Sequence, residues 1–356
     1  MSDGELADGS ADVEGELRSP ELPFELDGSF RPLTGLGNRH VQSILPDLLL
    51  RRLWMARRLR RILGASRPLL LECGSSVRLQ AFHSSPSREG AAAPRVAMLV
   101  HGWEGSADSV YILSLAEQLF SLGFEVVRLN LRDHGRTQHL NRGLFHSCRL
   151  AEVIGAASAV QARFPGARLH LAGFSLGGNF VLRVAAQAAR AGLDIAKVVA
   201  VSPVMDPAST LDALERGFAA YHRYFIHKWK RSLSAKQAAW PGDYDFSDLR
   251  RMGSLRQMTS ELVRRYTEFS SLEEYLDGYA IVGSRLASLA VPATLITALD
   301  DPIIPARDLE HVARPASLRI VVTRYGGHCG FLERPSGRTW VERKVATELD
   351  TATGAS

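Results

Sequence analysis

The stretch that most constrains this chain is residues 168–178, RLHLAGFSLGG. Its apolar beginning predicts the end of a short buried strand, and the following FVLRVAAQAARAG predicts a helix. Between them, residues 173–177 fit G-x-S-x-G, which places a serine on a sharp strand-to-helix turn. On such a turn the hydroxyl of Ser175 is exposed, and a Cβ at either flanking glycine would collide with neighbouring backbone. We therefore interpret Ser175 as a candidate nucleophile, with the amide of Leu176 at the helix start available to stabilise an oxyanion.

Strands and helices alternate along most of the chain. Strands are predicted at residues 69–72, 77–83, 95–100, 124–131, 169–172, 197–202, 293–299 and 318–323. Helices are predicted at residues 110–122, 150–164, 210–232 and 254–269. The first two strands form a hairpin, and the remaining alternation predicts an α/β fold with a mainly parallel sheet and helices on both faces.

The same pattern divides the chain into four segments. Residues 1–29 are acidic and poor in large apolar groups, which predicts a disordered N-terminus. Residues 30–67 are expected to form an ordered, non-regular arm followed by a basic amphipathic helix. Residues 68–204 and 290–350 carry the alternating core, whereas residues 205–289 lack a convincing strand and are rich in aromatic side chains. This last segment predicts a helical lid inserted into the core.

The basic helix at residues 48–63, LLLRRLWMARRLRRIL, has two interpretations. Its apolar residues recur at three- and four-residue steps with arginines between them, and they are Leu49, Leu53, Ala56, Leu59 and Leu63. One interpretation is a helix that lies on a membrane surface. The other, which we favour, is a helix packed against the domain with an arginine-rich face in solvent.

Several classes of protein are disfavoured by composition. No run approaches the roughly 18 apolar residues that a membrane-spanning helix needs. The acidic first residues lack the basic-then-apolar order of a signal peptide, and three cysteines without metal spacing indicate free thiols, so we expect a cytoplasmic protein. The net charge of +5 is modest and concentrated in one segment, which gives no reason to expect nucleic-acid binding. No phosphate loop, dinucleotide fingerprint or cysteine cluster is present, so we expect no cofactor and no metal.

A serine nucleophile needs a base, and the base needs an acid to orient it. His328 follows the last predicted strand in the glycine-rich stretch RYGGHCG, which would bring its side chain close to the serine turn. The stretch DDPIIP at residues 300–305 offers two acids, Asp301 and Asp300. The order Ser, Asp, His along the chain is the order found in α/β-hydrolases.

With these residues in place, the chain resembles the α/β-hydrolase superfamily, and more closely its YheT-like branch, which includes ABHD-type proteins of mammals. The segments that carry the closer likeness are 30–32 (FRP), 38–43 (NRHVQS), 101–106 (HGWEGS), 173–179 (GFSLGGN) and 300–302 (DDP). The resemblance covers roughly residues 30–345 and departs from the branch at residues 132–135, RDHG, where the branch often has Arg-Gly.

The resemblance implies an α/β-hydrolase fold with its lid, and site residues at matching positions. In this fold the acid commonly precedes x-[Ile/Val]-x-Pro, which favours Asp301 over Asp300. The second amide of the oxyanion hole would come from Trp103, beside that of Leu176. Members of the branch are hydrolases or acyltransferases of carboxylic esters, often with lipid-like acyl groups, so a small ester or lipid is the expected partner.

Two other polar positions have a structural and a functional interpretation. Asp133 and His134 are of types found at metal or acid–base sites, but two residues do not make a metal site, and a structural turn is favoured. Glu104 is likewise expected to be structural.

The sequence therefore predicts a carboxylic ester hydrolase that uses Ser175, Asp301 and His328 through an acyl-enzyme. An acyltransferase would use the same residues with an alcohol in place of water. A catalytically silent α/β-hydrolase that acts as a binding module is the alternative from another class, and the intact Ser, Asp and His argue against it. The pattern does not predict the acyl chain length, the alcohol or the oligomeric state.

Overall fold

An eight-stranded sheet forms the middle layer of the computed structural model, within the part of the chain that it describes, residues 26–47, 49–86 and 94–351. Its strands are β1 (Ser66–Glu72), β2 (Arg78–Ser84), β3 (Arg95–Val100), β4 (Phe124–Leu129), β5 (Leu169–Phe174), β6 (Ile195–Val201), β7 (Ala293–Ala298) and β8 (Leu318–Thr323). The strand order is β1-β2-β4-β3-β5-β6-β7-β8. β1 pairs with β2, and β2 with β4, in antiparallel fashion, while every later pair is parallel.

Helices cover both faces of this sheet. They are α1 (Arg39–Ile44), α2 (Leu49–Ala65), α3 (Val110–Ser121), α4 (Leu150–Arg163), α5 (Leu176–Ala186), α6 (Ala188–Ala191), α7 (Pro207–Arg216), α8 (Ala219–Ala239), α9 (Ser247–Arg251), α10 (Leu255–Tyr266), α11 (Leu272–Asp277) and α12 (Trp340–Thr351). Alternate residues of β3 belong to two apolar clusters, Met98 to one with α4 and α5 and Leu99 to the other with α3 and α12. Strands buried on both faces explain the near-continuous apolar runs in the sequence. The predicted α/β fold is confirmed.

The segment between β6 and β7 forms helices α7 to α11, with no strand among the elements assigned there. The single helix predicted at residues 210–232 is wrong, because α7 ends at Arg216 and α8 begins at Ala219. Gly217 has extended backbone angles between them, and a Cβ there would lie 2.3 Å from the carbonyl oxygen of Ala213. The chain changes direction at this break, and aromatic side chains of α8 lie at the site described below.

Helix α2 forms where the sequence predicted a basic helix, but the predicted apolar face is wrong. The buried side chains are Arg51, Met55, Leu59 and Ile62, whereas Leu53 is 63% exposed. Arg51 is buried because its guanidinium donates to both carboxylate oxygens of Glu342, at 2.6 and 2.9 Å. A pattern that treats arginine as outward-facing therefore selects the wrong side of the helix.

The two ends of the chain also differ from expectation. Disorder predicted over residues 1–29 extends too far, because Leu26 bridges to Val322 of β8 and the backbone N–H of Asp27 donates to the same residue. Residues 1–25 lie outside the described residues. The arm expected to be non-regular contains the short helix α1, and helix α12 was not predicted. Among the described helices, none is long and apolar enough to cross a membrane.

Candidate active site

Ser175 lies on the turn between β5 and α5 with φ +53° and ψ −120°, a backbone conformation that non-glycine residues rarely adopt. The turn is held by the N–H of Ser175, which donates to the carbonyl of Val201, and by the carbonyl of Ser175, which accepts from Asn179. The surrounding strand and helix thus fix a strained serine, which turns its hydroxyl away from the sheet.

The glycines on either side of Ser175 are required by space. A Cβ on Gly173 would lie 2.2 Å from the carbonyl oxygen of Gly177, and a Cβ on Gly177 would lie 2.3 Å from that of Val100. Both distances are far below a van der Waals contact, and both obstacles are backbone atoms. The predicted need for glycine at these two positions is confirmed.

The structure brings Ser175, His328 and Asp301 into one hydrogen-bonded chain. The hydroxyl of Ser175 lies 3.0 Å from Nε2 of His328, and Nδ1 of His328 lies 2.9 Å from Oδ2 of Asp301. The other carboxylate oxygen of Asp301 accepts from the backbone N–H groups of Ile303 and Ile304, each at 2.9 Å. With the proton of the imidazole on Nδ1, Nε2 is free to accept the proton of the serine.

The neighbouring carboxylate, Asp300, binds the backbone of the loop and not the imidazole. Its Oδ1 accepts from the backbone N–H of Gly327 at 2.9 Å, one residue before His328. Burial raises the pKa of Asp300, and the nearby charge of Asp301 raises it further. Of the two candidate acids, Asp301 is therefore the one placed against the imidazole, and Asp300 holds the loop that carries it.

Two opposing influences act on His328. Burial by itself lowers the pKa of the imidazole, but the contacts with the carboxylate of Asp301 and with Cys329 together outweigh it and hold the pKa of His328 well above its ordinary value. The imidazolium that forms when His328 takes a proton is thus stabilised by its neighbour.

The two residues whose amides are expected at an oxyanion hole, Trp103 and Leu176, line the same cavity as Ser175. Leu176 is the first residue of α5, so its N–H has no partner within the helix. Trp103 follows Gly102, where an added Cβ would lie 3.2 Å from the Cβ of Ser175. The loop after β3 thus passes directly against the serine turn.

A cavity of about 500 Å³ opens onto Ser175 and His328. The lid and the core both supply apolar lining, including Phe145, Leu211, Leu214, Phe225, Trp229, Leu255, Leu262, Leu276 and Ile303. The ring of Trp103 stacks on that of Phe225, with centroids 5.2 Å apart and planes within 8°. Helix α8 is thereby packed onto the loop that carries Trp103.

Asp133 and His134 lie outside the lining of this cavity. Asp133 accepts from the ammonium of Lys236 at 2.9 Å, and both side chains are buried. His134 donates from Nδ1 to the carbonyl of Arg132 and accepts at Nε2 from the N–H of Glu104. These contacts are structural. In the described ranges, no three His, Cys, Asp or Glu side chains group as metal ligands do.

Helix α1 is a part of the site that sequence reasoning missed. The hydroxyl of Ser43 accepts from the backbone N–H of His328 at 2.8 Å. The amide of Gln42 is fully buried, donating to the carbonyl of Leu332 and accepting from its N–H. His40 lies 3.0 Å from the hydroxyl of Tyr221 on α8. The signal was present in residues 38–43, NRHVQS, which were noticed only as a family feature.

The fold and the serine site together define the class of protein. Residues 98–335 match the model of the alpha/beta hydrolase fold family, and the chain belongs to that family. It is an esterase/lipase-type member, and its predicted likeness to the YheT-like branch is confirmed by the relatives.

Relatives and solved structures agree with that assignment. YheT of Escherichia coli (strain K12), named as a candidate esterase, is 27% identical over 341 residues, or 92% of this chain and 95% of that protein. Phospholipase ABHD3 of Mus musculus is 23% identical over 261 residues, 69% of this chain and 61% of that protein. Among solved structures, Est1E from Butyrivibrio proteoclasticus with ferulic acid bound superposes with a TM-score of 0.52 at 14% identity, covering 81% of this chain and 100% of that one. The last similarity concerns the fold alone.

Proposed function

We propose that this protein is a serine hydrolase that cleaves carboxylic esters with medium-chain or lipid-like acyl groups. The observation that carries the proposal is the chain of contacts from Ser175 through His328 to Asp301, opening onto a largely apolar cavity of about 500 Å³. Apolar cavities with a few convergent polar groups are typical small-molecule sites. The relatives named as esterase and phospholipase agree with the class of reaction.

In the proposed mechanism, His328 takes the hydroxyl proton of Ser175 as the serine oxygen attacks the ester carbonyl. The oxyanion that forms is held by the amides of Trp103 and Leu176, and the proton on His328 passes to the leaving alcohol. Water, deprotonated by His328, then attacks the acyl carbon, the bond from that carbon to the oxygen of Ser175 breaks, and the proton on His328 returns to the serine oxygen as the acid leaves. Asp301 keeps the imidazole in the required tautomer throughout.

The nucleophile is tested with a fluorophosphonate probe and an ester substrate. We expect the probe to label the wild type and not Ser175→Ala, and we expect ester turnover to fall by several orders of magnitude in that variant. Ser85→Ala, which changes a serine bonded to Glu125 away from the cavity, is the matched control. Equal labelling of wild type and Ser175→Ala would contradict the proposal, and no labelling of either would favour the binding-module alternative.

An acyltransferase would use the same residues with an alcohol in place of water. Added alcohol should then shift product from acid to ester without slowing consumption of the substrate. A cytoplasmic location remains a proposal based on the sequence composition.

A further inference from the structure

The outer face of helix α2 combines unpaired positive charge with exposed apolar side chains. Helix α2 has five exposed arginines, Arg52, Arg57, Arg58, Arg60 and Arg61, of which Arg57, Arg60 and Arg61 lie on the outer face at 100° per residue. None of them forms an ion pair or hydrogen bond with the side chains described in the structure, and α2 contains no acidic residue. Leu53, which is 63% exposed, and Trp54, which is 47% exposed, lie on the same side of the helix as Arg57, Arg60 and Arg61. Large apolar groups at such exposure are unusual on a face that has solvent as its only partner.

The opposite face of α2 holds the helix firmly. Met55, Leu59 and Ile62 pack in the apolar cluster that contains α3 and α12, and Arg51 is paired with Glu342 at 2.6 Å. At 100° per residue, Leu53, Arg57 and Arg60 point away from these four side chains. The outer face is therefore presented by a rigid helix.

The segment that leads into α2 lines the cavity. Ile44 and Pro46 line the cavity, and Ile44 is 39% exposed. Helix α2 begins at Leu49, three residues after Pro46, a span of at most about 11 Å. Tyr224 of α8 also lines the cavity and is 47% exposed. The exposed apolar groups of the rim and of α2 thus lie within a short span of chain.

We propose that the outer face of α2 docks the protein on an anionic phospholipid surface, next to the mouth of the cavity. The arginines would contact lipid phosphates and carboxylates, while Trp54 and Leu53 enter the boundary between headgroups and acyl chains. A lipid-like ester could then move from the surface into the cavity without crossing bulk water. The link to the cavity rests on the proposed function, whereas the docking itself does not.

A membrane surface fits this face better than its two competitors. Nucleic acid would match the arginines but not the exposed leucine and tryptophan side chains placed among them. Residues 1–25 carry eight acidic side chains and one arginine, so this segment of the chain also matches the charge. Binding of residues 1–25 would not explain why the face lies near a cavity large enough for an acyl chain. Binding of a lipid surface would explain it.

The experiment is cosedimentation of the full chain with vesicles of phosphatidylcholine alone and of phosphatidylcholine mixed with phosphatidylserine. We expect binding to the mixed vesicles only, weakening at high salt because the charges are screened. The variant Arg57→Gln/Arg60→Gln/Arg61→Gln should lose on the order of a hundredfold in affinity. Trp54→Ala should weaken binding at every salt concentration.

The matched control is Arg163→Gln/Arg190→Gln/Arg251→Gln, which removes three exposed arginines from other faces. It should bind the mixed vesicles as the wild type does. Equal losses in the two triple variants would overturn the proposal, since net charge alone would then explain binding. The absence of binding to mixed vesicles at low salt would also overturn the proposal. In that case, a change in proteolysis of residues 1–25 in the α2 variant would indicate that this segment covers the face, and a change in binding to duplex DNA would indicate nucleic acid.

Turnover separates this proposal from the proposed function. On a short ester in solution, the α2 triple variant should match the wild type within about twofold, and on a lipid ester in mixed vesicles it should lose activity in parallel with binding. Vesicle binding without turnover of any ester would leave docking standing and refute the hydrolase. Turnover of the short ester without vesicle binding would support the hydrolase and refute docking.

Discussion

At the scale of single residues, the pKa of His328 is set by two opposing effects. Burial lowers the pKa of its imidazole, and the contacts with Asp301 and Cys329 together raise it by more. A base with a raised pKa is a stronger proton acceptor, but a larger fraction of it is already protonated at neutral pH. Activity at a given pH therefore depends on these contacts.

The pH profile tests this balance. His328 must be neutral to accept the proton of Ser175, so kcat/KM should rise with pH through the raised pKa of the imidazole. In Asp301→Asn that pKa should fall, because the stabilising charge is lost while burial remains. The inflection should move to lower pH, and the plateau should drop by several orders of magnitude. Ester hydrolysis measured across pH in both proteins checks the shift and the drop separately.

Asp300→Asn is the control for this prediction. It keeps a side-chain oxygen able to accept from Gly327 and does not touch the imidazole contact, so its loss of turnover should be far smaller than that of Asp301→Asn at a similar melting temperature. The reverse ranking of the two variants would assign the acid to Asp300.

At the scale of elements, helix α1 and the loop after β8 behave as one unit. A Cβ on Gly330 would lie 1.9 Å from the carbonyl oxygen of Gln42, and a Cβ on Gly327 would lie 2.5 Å from that of Arg39. The loop and the helix are thus in direct backbone contact, and the polar groups of Gln42 close the remaining hydrogen bonds. Contacts with the N-terminal arm therefore help to fix the position of His328.

This dependence predicts the effect of Ser43→Ala. The variant leaves the backbone N–H of His328 without its acceptor, which costs about 1–3 kcal/mol for a buried donor and loosens the loop. We expect kcat on a short ester to fall about tenfold with little change in KM, because the variant removes one hydroxyl from the cavity lining and leaves the apolar lining in place. Ser43→Thr, which keeps the hydroxyl, should restore most of the rate. A change confined to KM, or equal losses in both variants, would show that Ser43 does not position the base.

At the scale of the whole molecule, a buried ion pair joins the lid to the core. The ammonium of Lys236 on α8 donates to Asp133 and to the backbone carbonyls of Asn141 and Gly143. Burial raises the pKa of Asp133 and lowers that of Lys236, and each charge opposes the shift of the other. Loss of one partner therefore leaves a buried charge uncompensated.

We expect Lys236→Met to lower the free energy of unfolding by about 3–5 kcal/mol, measured by urea denaturation. Adding Asp133→Asn should recover part of that loss, because the isolated charge is removed. Arg142→Met breaks the ion pair with Asp243 between the same two regions, but Arg142 is 74% exposed and solvent screens the pair, so its effect on the free energy of unfolding should be far smaller than that of Lys236→Met. Similar losses in Lys236→Met and Arg142→Met would contradict this account.

The cavity that the lid and core enclose predicts a dependence on acyl length. Each buried methylene contributes up to about 0.8 kcal/mol, so turnover of p-nitrophenyl esters should rise from acetyl toward medium chains until the cavity is filled. A strong preference for acetyl, or for charged acyl groups, would show that the lid closes the cavity to acyl chains.

Features that depend on neighbouring residues could be predicted from the amino-acid sequence alone. The serine turn, its glycines, β3, β8 and the parallel alternation follow from local patterns of space and burial, and the structure has them where they were predicted. The order of Ser, Asp and His along the chain singled out His328 and left two candidate acids.

Contacts between residues far apart in the chain could be identified only in the folded molecule. The contact of His328 with Asp301, the burial of Arg51 against Glu342 and the bond from His328 to Ser43 join positions 27, 291 and 285 residues apart. A side chain that is polar by type is buried when a distant partner satisfies it. No periodicity along the chain records that partner, and so the burial of Arg51 and the role of α1 became visible only in the folded molecule.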